Sequence, residues 1–145
     1  MCQNQPILSA AELVLDGDLR EVERLAATTE RFCRENALAG DVAFDLNLAL
    51  EELFVNAVKH GGCGGMKDAV EIRFGLVAGD VQVVYADRGG PFDPSAVPAP
   101  DLSVPLQDRP QGGFGLHLVR QVMQQFEYRR VDGRNRIIMR RRVTL

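Results

Sequence analysis

The sequence predicts a two-layer α+β sandwich, in which helices cover one face of a mainly antiparallel β-sheet. Segments with helical apolar spacing are grouped together, and two pairs of strand-like segments are joined by short turns that contain Gly and Asp. Helices that are grouped along the chain pack on one side of such a sheet. The 145 residues have the usual length of one domain, so we expect residues 1–145 to form a single unit.

The predicted elements follow in the order strand, helix, helix, strand, strand, loop, helix, strand, strand. A first strand over 9–15 is followed by a helix from Leu19, with Asp18 as its N-cap. The later elements are a helix over 41–60, strands over 70–77 and 81–86, a helix over 114–125, and a hairpin with strands over 126–131 and 136–143. A four-residue turn over 132–135 joins the last two strands. Residues 88–111 are rich in Pro, Gly and Asp, which is typical of a lid or binding loop.

Composition and charge exclude several classes of protein. A chain with 46% hydrophobic and 26% charged residues is typical of a folded globular protein rather than a disordered one. No apolar stretch is long enough to cross a bilayer, and the N-terminus lacks the pattern of a signal peptide, so we expect a cytoplasmic protein with no membrane partner. The three cysteines match no metal motif and fit a reducing compartment.

The end of the chain is rich in arginine, and two interpretations of this cluster are open. It could form a patch that binds nucleic acid or a protein partner, or it could be the solvated face of a terminal hairpin. Because the formal net charge is -3, we favour the solvated face and do not expect direct binding of nucleic acid. The arginines concerned are Arg129, Arg130, Arg134, Arg136, Arg140, Arg141 and Arg142.

The first candidate motif is the segment ELFVNAVKHG, which starts at Glu52. Glu52, Asn56 and Lys59 are four and three residues apart and therefore share one face of a helix. This face lies opposite the apolar side, so we expect the three side chains to project away from the core. An amide oxygen can bind Mg²⁺, and a carboxylate can orient or deprotonate a hydroxyl or a water. Taken alone, the segment also fits a solvated helix face with a Glu–Lys pair.

The second candidate motif, DRGGPFDP, starts at Asp87 where an apolar strand ends. A carboxylate in this place can accept a hydrogen bond from an exocyclic amine such as that of adenine. Gly89 allows the backbone to come close to a flat ring. The alternative is an ordinary turn after a strand, for which Asp, Gly and Pro are all suited.

The third candidate motif is GGFGLHLVRQVM, which starts at Gly112. Glycines at the start of a helix expose backbone N–H groups at the positive end of the helix dipole, and this is a natural site for phosphate. The alternative is a flexible entry to a core helix.

In their order and spacing, the three motifs resemble the N box and the two glycine boxes of the GHKL (Bergerat-fold) ATPase superfamily. The closing segment FEYRRVDGRNRI is similar to the final hairpin of the stand-alone anti-sigma serine/threonine kinases of the RsbW type. Pro91 stands where many superfamily members have another glycine, and Pro-Phe-Asp-Pro is frequent in the stand-alone kinases. The resemblance extends over about residues 13–143 and implies a Bergerat-type sandwich that binds ATP and Mg²⁺.

The resemblance also implies a role for each motif residue. Glu52 would be the general base that activates a serine or threonine hydroxyl, Asn56 would hold Mg²⁺, and Lys59 would contact phosphate. Asp87 would recognise the adenine amine, and Gly89 would shape the adenine pocket. The residues that would surround the phosphates at the start of the third predicted helix are Gly113, Phe114, Gly115 and Leu116.

The function implied by the resemblance is that of a protein serine/threonine kinase in a partner-switching circuit, which binds a sigma factor and phosphorylates a small antagonist protein. A homodimer is also expected. The only histidines, His60 and His117, lie within the motifs, which argues against a sensor histidine kinase. Two alternatives stay open: a non-catalytic module that uses ATP to shape a protein-binding surface, and a GHKL kinase that regulates a target other than a sigma factor.

Overall fold

The computed structural model describes residues 10–94, 103–105 and 119–143. One antiparallel sheet has the strand order β1-β2-β3-β5-β4, and two long helices pack against it, so the predicted α+β sandwich is confirmed. A 3₁₀ turn over Leu19–Glu21 precedes the first helix, and residues 119–122 are helical. The long elements are β1 (Ala10–Leu15), α1 (Val22–Glu35), α2 (Gly40–Lys59), β2 (Val70–Val77), β3 (Asp80–Asp87), β4 (Gln125–Val131) and β5 (Arg134–Arg141).

The core lies between the two helices and one face of the sheet. Alternate residues of a strand point to the same face, and on this inner face of β3 they are buried. Phe32 of α1 packs against Phe74 of β2 with ring centroids 5.4 Å apart. The buried side of α2 is formed by Val42, Leu46, Ala49, Leu50, Leu53, Phe54 and Ala57. No helix among the described residues is long and apolar enough to span a bilayer.

Both hairpins are tighter than the sequence analysis predicts. Ala78 and Gly79 have φ angles of 52° and 85°, and Asp132 and Gly133 have φ angles of 52° and 74°. Two successive residues with positive φ form the two-residue turn that matches the twist of a β-hairpin. As a result, β3 begins at residue 80 rather than 81, and β5 begins at residue 134 rather than 136. The predicted turn over 132–135 is therefore wrong by two residues.

The predicted helices differ from the structure at their ends. The Asp18 side chain accepts a hydrogen bond from the Arg20 N–H, as an N-cap does, but it caps the 3₁₀ turn and α1 begins only at Val22. The helix predicted to reach residue 125 ends at residue 122, because Gln125 already pairs with Arg140 in the sheet.

The loop between α2 and β2 is held by close backbone contacts with Gly17. The Gly17 N–H donates to the Met66 carbonyl, and the Gly65 N–H donates to the Gly17 carbonyl, both at 2.8 Å. A Cβ atom on Gly17 would lie only 1.7 Å from the Cys63 carbonyl oxygen, so no larger residue fits without movement of the backbone. These contacts fix the loop in which Gly61, two residues after the end of α2, contacts the second motif.

Candidate functional site

Asp87, at the end of β3, lies on the inner face of the sheet with only 7% of its surface exposed. Its Oδ1 accepts hydrogen bonds from the Gly89 N–H at 2.9 Å and from Asn135 Nδ2 at 2.8 Å. Its Oδ2 lies 2.9 Å from the Tyr85 hydroxyl. Burial of a carboxylate is unfavourable unless donors surround it, and these three donors compensate for it. We call Tyr85, Asp87, Gly89 and Asn135 the Asp87 cluster.

The hydroxyl of Tyr85 connects this cluster to α2. It lies 3.1 Å from the carbonyl oxygen of Leu53 and 2.9 Å from Asp87 Oδ2. Because a hydroxyl has one proton, it donates to one of these two acceptors at a time. Burial, followed by the charge of Asp87 and the hydrogen bond to it, raises the pKa of Tyr85 well above its usual value, so the side chain stays a neutral donor. Leu53 follows Glu52 in α2, so this contact ties the first motif to the second.

Asn135 of β5 uses both ends of its side-chain amide. Nδ2 donates to Asp87 Oδ1 and, at 2.7 Å, to the carbonyl oxygen of Gly90. Oδ1 accepts from the Phe92 N–H at 3.1 Å and from the Tyr128 hydroxyl at 2.7 Å. A backbone N–H can only donate and a carboxylate oxygen accepts, so these partners determine which way the amide faces.

Gly89 is required where two backbone segments meet. A Cβ atom on Gly89 would lie 2.6 Å from the Gly61 carbonyl oxygen and 3.1 Å from Asp87 Oδ1. The next residue, Gly90, donates its N–H to the same Gly61 carbonyl at 3.0 Å, but a Cβ atom on Gly90 would meet nothing within 4 Å. The close approach that Gly89 allows in the structure is thus to the loop after α2. Its predicted place beside a flat ring stays a prediction.

Glu52, Asn56 and Lys59, which we call the α2 face, lie along the second half of that helix. Glu52 and Asn56 are half-buried, and Lys59 is exposed in the last turn. The prediction that all three project away from the core is wrong for Asn56, because its Nδ2 atom is buried and has no hydrogen-bond partner among the described residues. Burial, with a further contribution from the charge of Glu51, raises the pKa of the Glu52 carboxyl.

Asn56 is suited to hold a metal ion together with a nucleotide. The described residues contain no group of three or more His, Cys, Asp or Glu side chains that could bind a metal by themselves. Mg²⁺ in nucleotide sites needs few protein ligands, because it keeps several waters and binds the phosphates. The Asn56 amide nitrogen makes no hydrogen bond to the described residues, so turning the amide to present its oxygen would break none there. The donor chemistry fits, and the assignment stays a prediction.

Residues 112–118 of the third motif fall outside the described residues, as do residues 95–102 and 106–111 of the predicted lid. The phosphate-binding roles of Gly113, Phe114, Gly115 and Leu116 therefore stay predictions. The end of that helix is described, and it contributes the buried residues Val119 and Met123 to the core.

Two residues of the Asp87 cluster, Tyr85 and Asn135, were not predicted from the sequence. Strand alternation places Tyr85 on the same face as Asp87, two residues away, so a signal for this residue was available. Asn135 was assigned to a turn, and only the two-residue turn observed in the structure places it in β5, directly opposite Asp87.

The prediction of a solvated arginine face is wrong for part of the arginine cluster. Arg141 is only 12% exposed in its side chain, because it points to the inner face and forms ion pairs with α2. Four of the seven arginines tie β4 and β5 to other elements: Arg130 to the Gly89 carbonyl, Arg134 to Glu71, Arg140 to Asp80, and Arg141 to Asp41 and Asp45.

Comparison with known proteins identifies the family of this chain. Residues 15–141 match the family described as the histidine kinase-like ATPase domain. The chain belongs to this family.

Within this family, the chain is similar to bacterial serine-protein kinases. It is 32% identical over 96 residues to the serine/threonine-protein kinase BtrW of Bordetella bronchiseptica, an alignment that covers 66% of this chain and 68% of BtrW. It is 25% identical over 126 residues to the serine-protein kinase RsbW of Bacillus cereus, covering 84% and 78% of the two chains. The resemblance to RsbW-type kinases is thus confirmed.

A solved structure supports the same fold. The chain superimposes on the crystal structure of the RsbU and RsbW domains of Rv1364c from Mycobacterium tuberculosis with a TM-score of 0.69. The match covers 93% of this chain and 32% of that longer chain, at 16% sequence identity. At this identity the likeness concerns the fold alone.

Proposed function

We propose that this chain is an ATP-dependent protein serine/threonine kinase that acts as an anti-sigma factor. In this proposal the chain binds a sigma factor and phosphorylates a small antagonist protein, and the two partners compete for it. The names of its relatives support the kinase activity. The circuit is the one that the resemblance to the stand-alone anti-sigma kinases implies.

The observation that carries the proposal is the buried Asp87 carboxylate. A carboxylate has roughly four acceptor positions. The Gly89 N–H and Asn135 Nδ2 occupy Oδ1, and Tyr85 is the one donor near Oδ2 among the described residues. Oδ2 therefore retains a position for an N–H donor of a ligand. The 6-amino group of adenine is such a donor, whereas a 6-keto oxygen would face the carboxylate and be repelled.

Glu52 supports phosphate transfer rather than nucleotide binding alone. Its pKa is raised by burial and by Glu51, and a general base is most effective when its pKa approaches the working pH. In the proposed reaction, the Glu52 carboxylate accepts the proton of a serine or threonine hydroxyl. The hydroxyl oxygen forms a bond to the γ-phosphorus while the bond to the β-phosphate oxygen breaks, and ADP leaves.

The other motif residues would bind the triphosphate. Asn56 would hold Mg²⁺, which when bound neutralises part of the phosphate charge. Lys59, exposed at the end of α2, would contact phosphate oxygens. The backbone N–H groups at the start of the third predicted helix, at Gly113, Phe114, Gly115 and Leu116, would surround the phosphates.

Transfer of phosphate from γ-labelled ATP tests the proposal. The purified chain is incubated with Mg-ATP and with a candidate antagonist from the same organism that has been shown to bind it. We expect Glu52→Gln to retain ATP binding and to transfer phosphate about 10²–10⁴ times more slowly, because the proton acceptor is lost. Glu35→Gln changes an exposed carboxylate at the end of α1, outside the three motifs, and is the matched control, with transfer close to the wild-type rate.

The other outcomes separate the alternatives. Equal transfer by Glu52→Gln and wild type would contradict the role of this residue. Binding of ATP and of a protein partner without any transfer would favour a non-catalytic module. Transfer to a partner by a chain that binds no sigma factor would indicate a kinase that controls a different target.

A further inference from the structure

We propose that Asn135 is a positioning residue that makes the site selective for purine nucleotides with a 6-amino group. The proposal rests on the proposed role of Asp87 in nucleotide binding. Asn135 does not contact the base in this scheme; it acts through the Asp87 carboxylate and through the backbone of residues 90–92.

Asn135 acts first on the orientation of the Asp87 carboxylate. Asn135 is 3% exposed and pairs directly with Asp87 across β3 and β5. Its Nδ2 and the Gly89 N–H both donate to Oδ1, at 2.8 and 2.9 Å, and together they fill the two acceptor positions of that oxygen. The carboxylate plane is thereby fixed, and Oδ2 is the oxygen that remains for a ligand donor.

Asn135 acts secondly on the backbone beside the carboxylate. Asn135 also binds the Gly90 carbonyl and the Phe92 N–H, at 2.7 and 3.1 Å. On its other side, Gly90 donates its N–H to the Gly61 carbonyl. The start of the loop after β3 is therefore held between β5 and the loop after α2. Because the Asn135 amide is hydrogen-bonded to both the carboxylate and this backbone, the two cannot shift independently.

Few other side chains at position 135 could make these contacts with both the carboxylate and the backbone. Aspartate has no N–H to donate and would place a second carboxylate next to Asp87 Oδ1. Serine or threonine has a single donor and cannot serve both Asp87 and Gly90. Glutamine is longer by one methylene group, which a closely packed position does not accommodate without movement. An amide of this length supplies two donors and an acceptor together.

Titration calorimetry with two nucleotides tests the proposal: Mg-ATP, and the Mg complex of purine riboside triphosphate, which is ATP without the 6-amino group. A hydrogen bond to a charged group corresponds to about 10- to 100-fold in affinity, so we expect wild type to prefer ATP by this factor. In Asn135→Ala and Asn135→Asp this preference should fall about tenfold, chiefly through weaker ATP binding. Asn36→Ala removes an amide that donates to the Phe32 carbonyl in α1 and is the matched control, with the wild-type preference retained.

If the role of Asn135 is purely structural, the variants should bind both nucleotides more weakly by the same factor. An unchanged preference for ATP in folded variants would therefore overturn the proposal. Asn135→Asp keeps the shape of the side chain and decides the matter if Asn135→Ala does not unfold cooperatively. A wild-type preference near one would overturn the proposal without any variant. If wild type binds neither nucleotide, the proposed function fails too. If wild type binds ATP and transfers phosphate while the variants keep its preference, only the role of Asn135 is wrong.

Discussion

The Asp87 cluster and the α2 face differ in how far the protein itself satisfies their polar groups. In the cluster, both oxygens of Asp87 and both ends of the Asn135 amide have protein partners within 3.1 Å. On the α2 face, Asn56 Nδ2 is buried with no partner among the described residues, and burial raises the pKa of Glu52. The polar groups of the Asp87 cluster are satisfied by the fold, whereas those of the α2 face are buried without full compensation from the described residues.

This difference indicates a division of work in the proposed reaction. A buried N–H without a partner costs about 1–3 kcal/mol, and the Asn56 amide nitrogen has no partner among the described residues. Sites that perform chemistry often retain such unfavourable features, because they are relieved only when a ligand binds or the reaction proceeds. The Asp87 cluster would recognise the base with little rearrangement, and the α2 face would gain most of its interactions from the bound triphosphate.

Of the changes considered, Asp87→Asn should have the largest effect, because it removes the carboxylate that is proposed to recognise the base. The amide oxygen of the new side chain can keep the hydrogen bonds from Gly89 and Asn135. Its NH₂ group faces Tyr85, whose hydroxyl oxygen can accept a hydrogen bond from it. The fold should therefore survive, but an NH₂ group would now face the adenine amine. We expect ATP affinity to fall about 100-fold in titration calorimetry.

Asp80→Asn is the matched control for this experiment, because it changes a partly buried carboxylate at the other end of β3, where it pairs with Arg140. It should keep wild-type ATP affinity. Unchanged binding in Asp87→Asn would show that this carboxylate does not recognise the base.

Gly89→Ala should disturb the support of the Asp87 cluster. The added methyl group would press on the Gly61 carbonyl oxygen, 2.6 Å away, and we expect the free energy of unfolding to fall by about 1–3 kcal/mol. Gly90→Ala adds the same group where nothing lies within 4 Å, and it should change the stability by less than about 0.5 kcal/mol. Urea denaturation of the two variants measures this difference, and equal stabilities would contradict the packing argument.

Asn56→Ala should separate stability from function on the α2 face. Because Nδ2 has no partner among the described residues, removal of the amide breaks no hydrogen bond there, and we expect the free energy of unfolding to fall by no more than about 1 kcal/mol. The affinity for Mg-ATP should fall, and the dependence of ATP binding on Mg²⁺ concentration should weaken. Asn47→Ala in the same helix is the control and should keep both. A large loss of stability in Asn56→Ala would show that the amide has a structural role.

The smallest expected effect is that of Glu52→Gln on the way in which stability depends on pH. At a pH below the ordinary glutamate pKa of about 4.3, Glu52 is protonated in both the folded and the unfolded chain, so the charge makes no difference. As the pH rises through the raised folded-state pKa, wild type loses stability, because the ionised carboxyl is less favourable when half-buried. The melting temperature of Glu52→Gln should thus exceed that of wild type at pH 8 and approach it at low pH.

Glu51→Gln is the control for thermal unfolding, because its carboxyl is exposed and any gain in melting temperature at pH 8 should be smaller. A difference between Glu52→Gln and wild type that does not vary with pH would contradict this account of Glu52.

The sequence predicted the parts of the site that depend on local patterns. Helical spacing placed Glu52, Asn56 and Lys59 on one helix, and alternation placed Asp87 at the end of a strand. The burial of the Asn56 amide was not predicted, because a helical pattern shows which residues share a face but not what packs beside it. The place of Asn135 was missed because turn length decides strand register, and composition alone did not distinguish a two-residue turn from a four-residue one.

By itself, then, the sequence determined the order of helices and strands, the antiparallel layer and the positions of three motifs. Each of these depends on the spacing of residues within one segment or between neighbouring segments. Only the tertiary structure decided that Asn135, 48 residues from Asp87, completes the setting of that carboxylate, and that Gly89 meets Gly61. The physical reason is that these contacts join distant segments. They depend on β5 pairing with β3 in one register and on α2 packing across the same face, which no local pattern specifies.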